Sequence, residues 1–395
     1  MIGRRLAGRR CARIQWAGWL SPIVLSFLPC EAALSAPYVP ANDAQVLAQL
    51  PPGSVHTSSA VLERARTRAD VALPLAQFYI ARARTSGDLR YLGYAEGMLA
   101  PWLSGASVRS GALVLHATVL QSRHAFGAAL AELDRALALQ PDNAQAWLTR
   151  ATILRVLGRY PEAMQSCERL GPAVDPAITQ LCEQSLRALT GELNAAYAAL
   201  TSLPQQTLAR EVRAWRYSEL GEMAERGGDD TAAEHWLREG LALVPDDFYT
   251  RAAYADLLLR QHRAAETLQL LSGCDSMEPL LLRMLIARQM LGERDVADAR
   301  AKLEDAFGIE EQRGEAVHRR EQARFLLDIE HRPAAALAAA QENWRVQREP
   351  DDLLILLRAA QAAERPDAAA PVMQFLTQEH LQDARLEPYL KSASP

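Results

Sequence analysis

Five cysteines and eight histidines are the side chains of this 395-residue chain best suited to redox, metal or nucleophilic chemistry. The histidines are scattered. None has a second histidine one helical turn away, and His-Glu-x-x-His is absent, which excludes a metalloprotease-type zinc site. His116 and His124 fall on one helix face, eight residues apart, and read as ordinary helix residues. Gly-x-Ser-x-Gly, phosphate-loop and dinucleotide-binding patterns are missing too. The acidic pairs Asp246-Asp247 and Asp351-Asp352 follow prolines that open helical stretches, where a carboxylate caps the helix and meets its positive end. No catalytic residue, metal ligand set or cofactor is therefore expected.

Cysteine offers one specific chemistry. Cys167 lies about seven residues before, and Cys182 about eight after, a loop centred near position 174. In an antiparallel helix pair such positions face each other, so an oxidising compartment would close a disulfide between them. Two buried thiols packed as small apolar residues are the alternative. Cys274 is left as a free thiol, and Cys11 and Cys30 lie in the N-terminal segment.

The elements that must position these residues are constrained by composition. Hydrophobic residues are 49% and aromatics only 6%, with alanine plentiful, so the interior is packed by small aliphatic side chains, which favours closely crossing helices over a β-sandwich. Net charge is −5; the first 35 residues hold five arginines and one glutamate, which leaves −9 for the rest. Such a body repels phosphate backbones and excludes nucleic acid as a partner. Of the 43 basic residues only Lys302 and Lys391 are lysine, a bias that codon usage in a GC-rich genome explains.

Residues 1–36 read as a secretion signal: arginines, a 14-residue apolar run from Trp16 to Pro29, then small residues before Pro37. The run falls short of the ~20 residues that span a bilayer as a helix. Cleavage near Ala36 removes Cys11 and Cys30. Membrane association is expected only through an uncleaved signal or a lipid on Cys30. Residues 37–57, with Pro37, Pro40, Pro51, Pro52 and Gly53, read as an extended arm with a short helix around Asp43 to Leu50.

Beyond the arm the chain repeats with a period of 34. Ala117 falls on Ala151, Phe126 on Tyr160, Ala129 on Ala163 and Gly221 on Ala255. Pro-Asp recurs at Pro141, Pro245 and Pro350, spaced by 104 and 105 residues. Within one period Trp147, Ala151 and Leu154 form a helical stripe, Gly158 breaks the helix, and Tyr160-Pro161 open a second one whose Ala163 faces Ala151. These residues resemble the tetratricopeptide repeat family, most regularly over 107–275. His262 replaces a turn glycine and Thr267 a packing alanine. The resemblance implies an all-α, right-handed superhelical solenoid of antiparallel helix pairs over residues 58–378, about nine hairpins, with a C-terminal cap and tail at 379–395.

In this family the first helix of each pair faces a concave surface. That phase implies a groove of Thr152, Arg155, Trp215, Glu222, Glu225, Tyr249, Asp256 and Arg260. The aromatic and acidic walls suit a protein or peptide partner. Alanine at Trp215, Tyr249 or Asp256 is expected to weaken binding and leave stability nearly unchanged. The carboxylate-clamping lysines and asparagines of chaperone-binding relatives have no counterpart, so that activity is not implied. The expected function is a periplasmic or secreted interaction scaffold. A self-associating envelope component with no discrete ligand is the alternative, and an enzyme whose site the sequence hides is third.

Overall fold

The computed structural model of the chain describes residues 57–172, 174–204, 208–312 and 318–393. The signal at 1–36, nearly all of the arm at 37–57, and the last two residues of the tail lie outside the described residues. The described residues are helical, with no strand among them, and no described helix is long and apolar enough to cross a membrane.

Among the described residues a leading helix, α1 (Ser59–Thr67), precedes nine helical hairpins. The first four are α2–α3 (Ala69–Ser86, Arg90–Leu99), α4–α5 (Ser110–Ser122, Phe126–Leu139), α6–α7 (Ala144–Val156, Tyr160–Glu168) and α8–α9 (Pro176–Arg187, Leu193–Thr201). The next three are α10–α11 (Arg210–Arg226, Asp230–Leu243), α12–α13 (Phe248–Arg260, Ala264–Leu270) and α14–α15 (Glu278–Met290, Ala297–Gln312). The last two are α16–α17 (Arg319–Arg324, Pro333–Val346) and α18–α19 (Pro350–Ala362, Ala370–Glu379), followed by α20 (Glu387–Ala393). A π-helical turn, Phe325–Ile329, extends α16.

The repeat residues do what their types dictate. Ala151, Tyr160 and Ala163 are at most 3% exposed, so α6 and α7 approach over a methyl-sized contact. Thr267 is fully buried and turns its hydroxyl onto the Arg263 carbonyl at 3.2 Å, which lets it stand where alanine stands elsewhere. The acidic punctuation caps helices: Asp247 accepts from the Thr250 amide, and Asp352 accepts from the Glu349 amide in a reciprocal capping box. Every hairpin turn carries one residue with positive φ, glycine in five of them and His124, His262, His331 and Glu364 in the others.

The array does not stay open. Met277, just before α14, packs against Gly87 at the first hairpin's turn. More consequentially, the C-terminal helices fold back onto the middle of the array. Phe375, His380 and Ala384 lie in succession against Gly158, Gly191 and Gly228, the turns of the third, fourth and fifth hairpins. The Arg348 amide donates to the Val156 carbonyl at 2.8 Å, and Gln347 reaches the ring of His124 at 3.1 Å. One apolar core accordingly joins Ala151, Tyr160, Cys167 and Leu186 to Leu353, Leu356, Val372 and Phe375.

Candidate functional site

The first helices α6, α10, α12 and α14 turn one face toward this folded-back segment, and between them runs a cleft of three connected cavities. The two end chambers measure about 690 and about 660 Å³, and the waist between them about 80 Å³. The side chain of Arg320, from α16, forms part of the wall of all three.

All eight groove residues read from the sequence line this cleft. Thr152, Arg155, Trp215 and Tyr249 face the first chamber; Glu222 joins Arg155 and Tyr249 at the waist; Glu225 and Asp256 reach both the waist and the second chamber, where Arg260 also lies. They are not the free side chains that an open groove would present. Arg155 pairs with Glu219 at 2.6 Å, and Trp215 donates its indole N–H to the same carboxylate at 3.1 Å. Asp256 holds Arg283 at 2.5 Å and Arg324 at 2.8 Å. Glu225 binds Arg260 on its neighbour helix and lies 3.5 Å from Arg385. The expectation that Asp256→Ala leaves stability unchanged is therefore revised. It would strip Arg283, itself 4% exposed, of its carboxylate, and a stranded buried charge is destabilising.

Several wall residues went unnoticed in the sequence. Arg283 stands 34 residues beyond Tyr249, and Tyr249 stands 34 beyond Trp215, so the repeat phase alone would have found it. Glu219 lies on α10, one turn from Trp215. Arg320, Glu349, Asp351 and Arg385 carried no such signal, because they reach the cleft only through the fold-back.

Burial and partner charges set opposite protonation preferences on carboxyls in and beside one cleft. Burial raises the Asp351 carboxyl, but Arg385, Arg320 and Arg324 outweigh it and hold the group at about 2. Glu321 is held at about 2 in the same way, chiefly by Arg320. Glu222 is pushed up to about 8 by burial and by the neighbouring Glu219 carboxylate. Asp352, beneath the cleft, is raised to about 7 by burial. Burial keeps the His124 imidazole neutral, with its pKa lowered to about 4, and it stacks on Phe126 rather than meeting His116. Among the described residues no cluster of three or more metal-ligating side chains is placed to hold an ion.

Cys167 on α7 and Cys182 on α8 are disulfide-bonded, with Cα atoms 5.8 Å apart. Cys182 forms part of the first chamber's wall, so the bond braces α8 beside the cleft. Cys274 is a buried free thiol that receives a hydrogen bond from Arg251.

Comparison with known proteins follows the same lines. Residues 120–184 match the family model described as tetratricopeptide repeat. None of the curated proteins matches the chain. Among solved structures, PilF of Pseudomonas aeruginosa is similar at 19% identity over 62% of this chain and 94% of its own, with a TM-score of 0.30. The APC/C Cut9–Hcn1 hetero-tetramer is similar at 15% identity over 76% of this chain and 50% of that chain, with a TM-score of 0.40. Yeast Tom70 is similar at 14% identity over 79% of this chain and 69% of its own, with a TM-score of 0.23. The protein is an all-α solenoid of tetratricopeptide-like hairpins, and the family match falls on residues 120–184, from the end of α4 into α8.

Proposed function

We propose that this protein is exported, loses its first residues near Ala36, and acts in the periplasm or outside the cell of a bacterium as a scaffold that holds a segment of another protein in its cleft. The observation that carries the reading is the convergence of eight first-helix side chains on one continuous cleft. Its chambers of about 690 and about 660 Å³ are each large enough for several residues of an extended chain. Repeat arrays provide such walls without catalytic machinery. The Cys167–Cys182 bond supports export, because structural disulfides persist in oxidising compartments.

One experiment tests both halves. The full-length protein, expressed in a Gram-negative cell with a photo-crosslinking residue at Thr152 or at the exposed Glu239, should be recovered with its N-terminus near Ala36. It should give a discrete heteromeric adduct from Thr152 and none from Glu239. An intact Met1 or a lipidated Cys30 overturns soluble export. Adducts from both positions, from neither, or of the protein with itself alone overturn the scaffold reading.

A further inference from the structure

The waist of the cleft is lined by seven carboxylates and five arginines. Six of the carboxylates have an arginine nitrogen within 4 Å, as in Glu219 with Arg155 and Asp351 with Arg385. Among the described residues Glu222 has none. Arg226, one turn further along the same helix, gives its guanidinium to the Ala188 carbonyl at 2.7 Å instead. A polar group on the same wall lacks any partner. Tyr160 is 2% exposed, and its hydroxyl has no hydrogen-bond partner.

We propose that the waist is a binding site for a cationic side chain, the ammonium or guanidinium of a lysine or arginine carried by the segment that occupies the cleft, seated against the Glu222 carboxylate. This rests on the reading of the cleft as a protein-binding groove and names the chemistry of its guest. Glu222 accepts a hydrogen bond from Tyr249 but has no cationic partner, so a cationic N–H group supplies the charge that Glu222 lacks and the donor that the Tyr160 oxygen lacks. Phe248, Ala252 and Pro279 give the cavity an apolar flank for the methylene stem of such a residue. A volume of about 80 Å³ is room for several waters, or for the end of one long side chain that displaces them. The larger chambers on either side leave space for the chain that carries it.

Proton linkage gives the site a signature. Glu222, raised to about 8, holds a proton at neutral pH, and a cation binds its ionised form, so binding expels the proton. Of the groups lining the waist with it, burial raises Glu225 and lowers Arg226 on the same helix. Arg155 and Arg320 stay cationic, Glu219 is lowered by Arg155, and Asp351 is held at about 2. Tyr249, on α12, favours the ionised form of Glu222. Affinity should therefore rise with pH up to about 8 and level off above it, by roughly tenfold per unit below that point.

The test is calorimetry of the full-length protein with N-acetylated, C-amidated Ala-Ala-Lys-Ala-Ala, the same peptide with norleucine or glutamate in place of lysine, and n-butylammonium against 1-butanol. The lysine peptide should bind at least about tenfold more tightly than its norleucine counterpart at pH 8.5, as a charge-assisted contact requires. It should weaken toward pH 6.5 and release close to one proton at pH 7. Glu222→Gln should erase both the discrimination and the pH dependence. Equal binding of lysine and norleucine peptides overturns the cation site and leaves the groove reading standing. Binding of n-butylammonium over 1-butanol with proton release, without binding of any peptide, supports the cation site and overturns the groove reading. No binding by any probe overturns the proposal. Should Glu222→Gln fail to fold, the isostere and pH contrasts in the unaltered protein decide the matter alone.

Discussion

Histidine in this protein serves the backbone before it serves chemistry. His124, His262, His331 and His380 all hold positive φ, between 52° and 60°. Histidine tolerates this left-handed region better than branched residues do, which explains why scattered histidines show no ligand spacing. The cysteines do carry chemistry. Their bond closes a 15-residue loop between neighbouring hairpins, and such closure contributes ~3 kcal/mol by restricting the unfolded chain. Cys182→Ala is expected to lower the unfolding free energy in urea by ~2–4 kcal/mol. In unreduced, denatured wild-type protein, iodoacetamide should label Cys274 and spare Cys167 and Cys182, as mapped by peptide mass spectrometry. Labelling of all three would show the bond absent.

At the scale of the helix pair, stability depends on how closely two backbones approach. Gly221 on α10 is the sharpest instance. A Cβ placed there would stand 2.8 Å from Leu237, which is fully buried on α11. Alanine is the better helix former by ~1 kcal/mol, but overpacking a fixed neighbour costs ~1–3 kcal/mol, so the contact decides the sign. Gly221→Ala is expected to destabilise the protein by about 1–2 kcal/mol in urea unfolding. Gly93→Ala should do the reverse, by ~0.5–1 kcal/mol, because that exposed helical position has no atom within 4 Å of the new methyl. Equal signs for the two would show that helix propensity, not the crossing contact, governs α10–α11.

For the described molecule as a whole, the decisive event is the return of the C-terminal helices onto the middle of the array. Apolar contact with Tyr160 and the disulfide-bonded helices supplies much of the attachment, but Arg385 locks its direction. It is 10% exposed in its side chain, bonds Asp383 at 2.7 Å and Asp351 at 2.9 Å, and lies 3.5 Å from Glu225 on α10. Its removal leaves three carboxylates facing one another without their shared cation, and breaking a buried pair costs ~3–5 kcal/mol. Arg385→Ala should speed amide exchange in residues 350–386 and along α10, with α2 and α3 unaffected. Uniform protection in the variant would mean that the apolar core alone holds the segment.

The repeat was legible from local patterns alone. Ala117, Ala151 and Ala163 mark helix crossings where only a small side chain fits, and Pro-Asp marks helix starts, because period and capping are local properties. The family resemblance implied a common groove for Thr152, Arg155, Trp215 and Tyr249, which lie on three helices, and all four line one cleft. The distances of Cys167 and Cys182 to a shared turn allowed their pairing and equally allowed two buried thiols; the bond is a feature of the folded chain. What those faces meet depends on contacts between residues far apart in the chain. Phe375 against Gly158 and Arg385 against Glu225 join positions more than 150 residues apart in sequence, and no short-range pattern encodes such a contact. The fold-back converts an open groove into a walled cleft. Along the array, Asp256 anchors Arg283 and Arg324 from the following first helices, while Glu222 has no arginine nitrogen within 4 Å among the described residues.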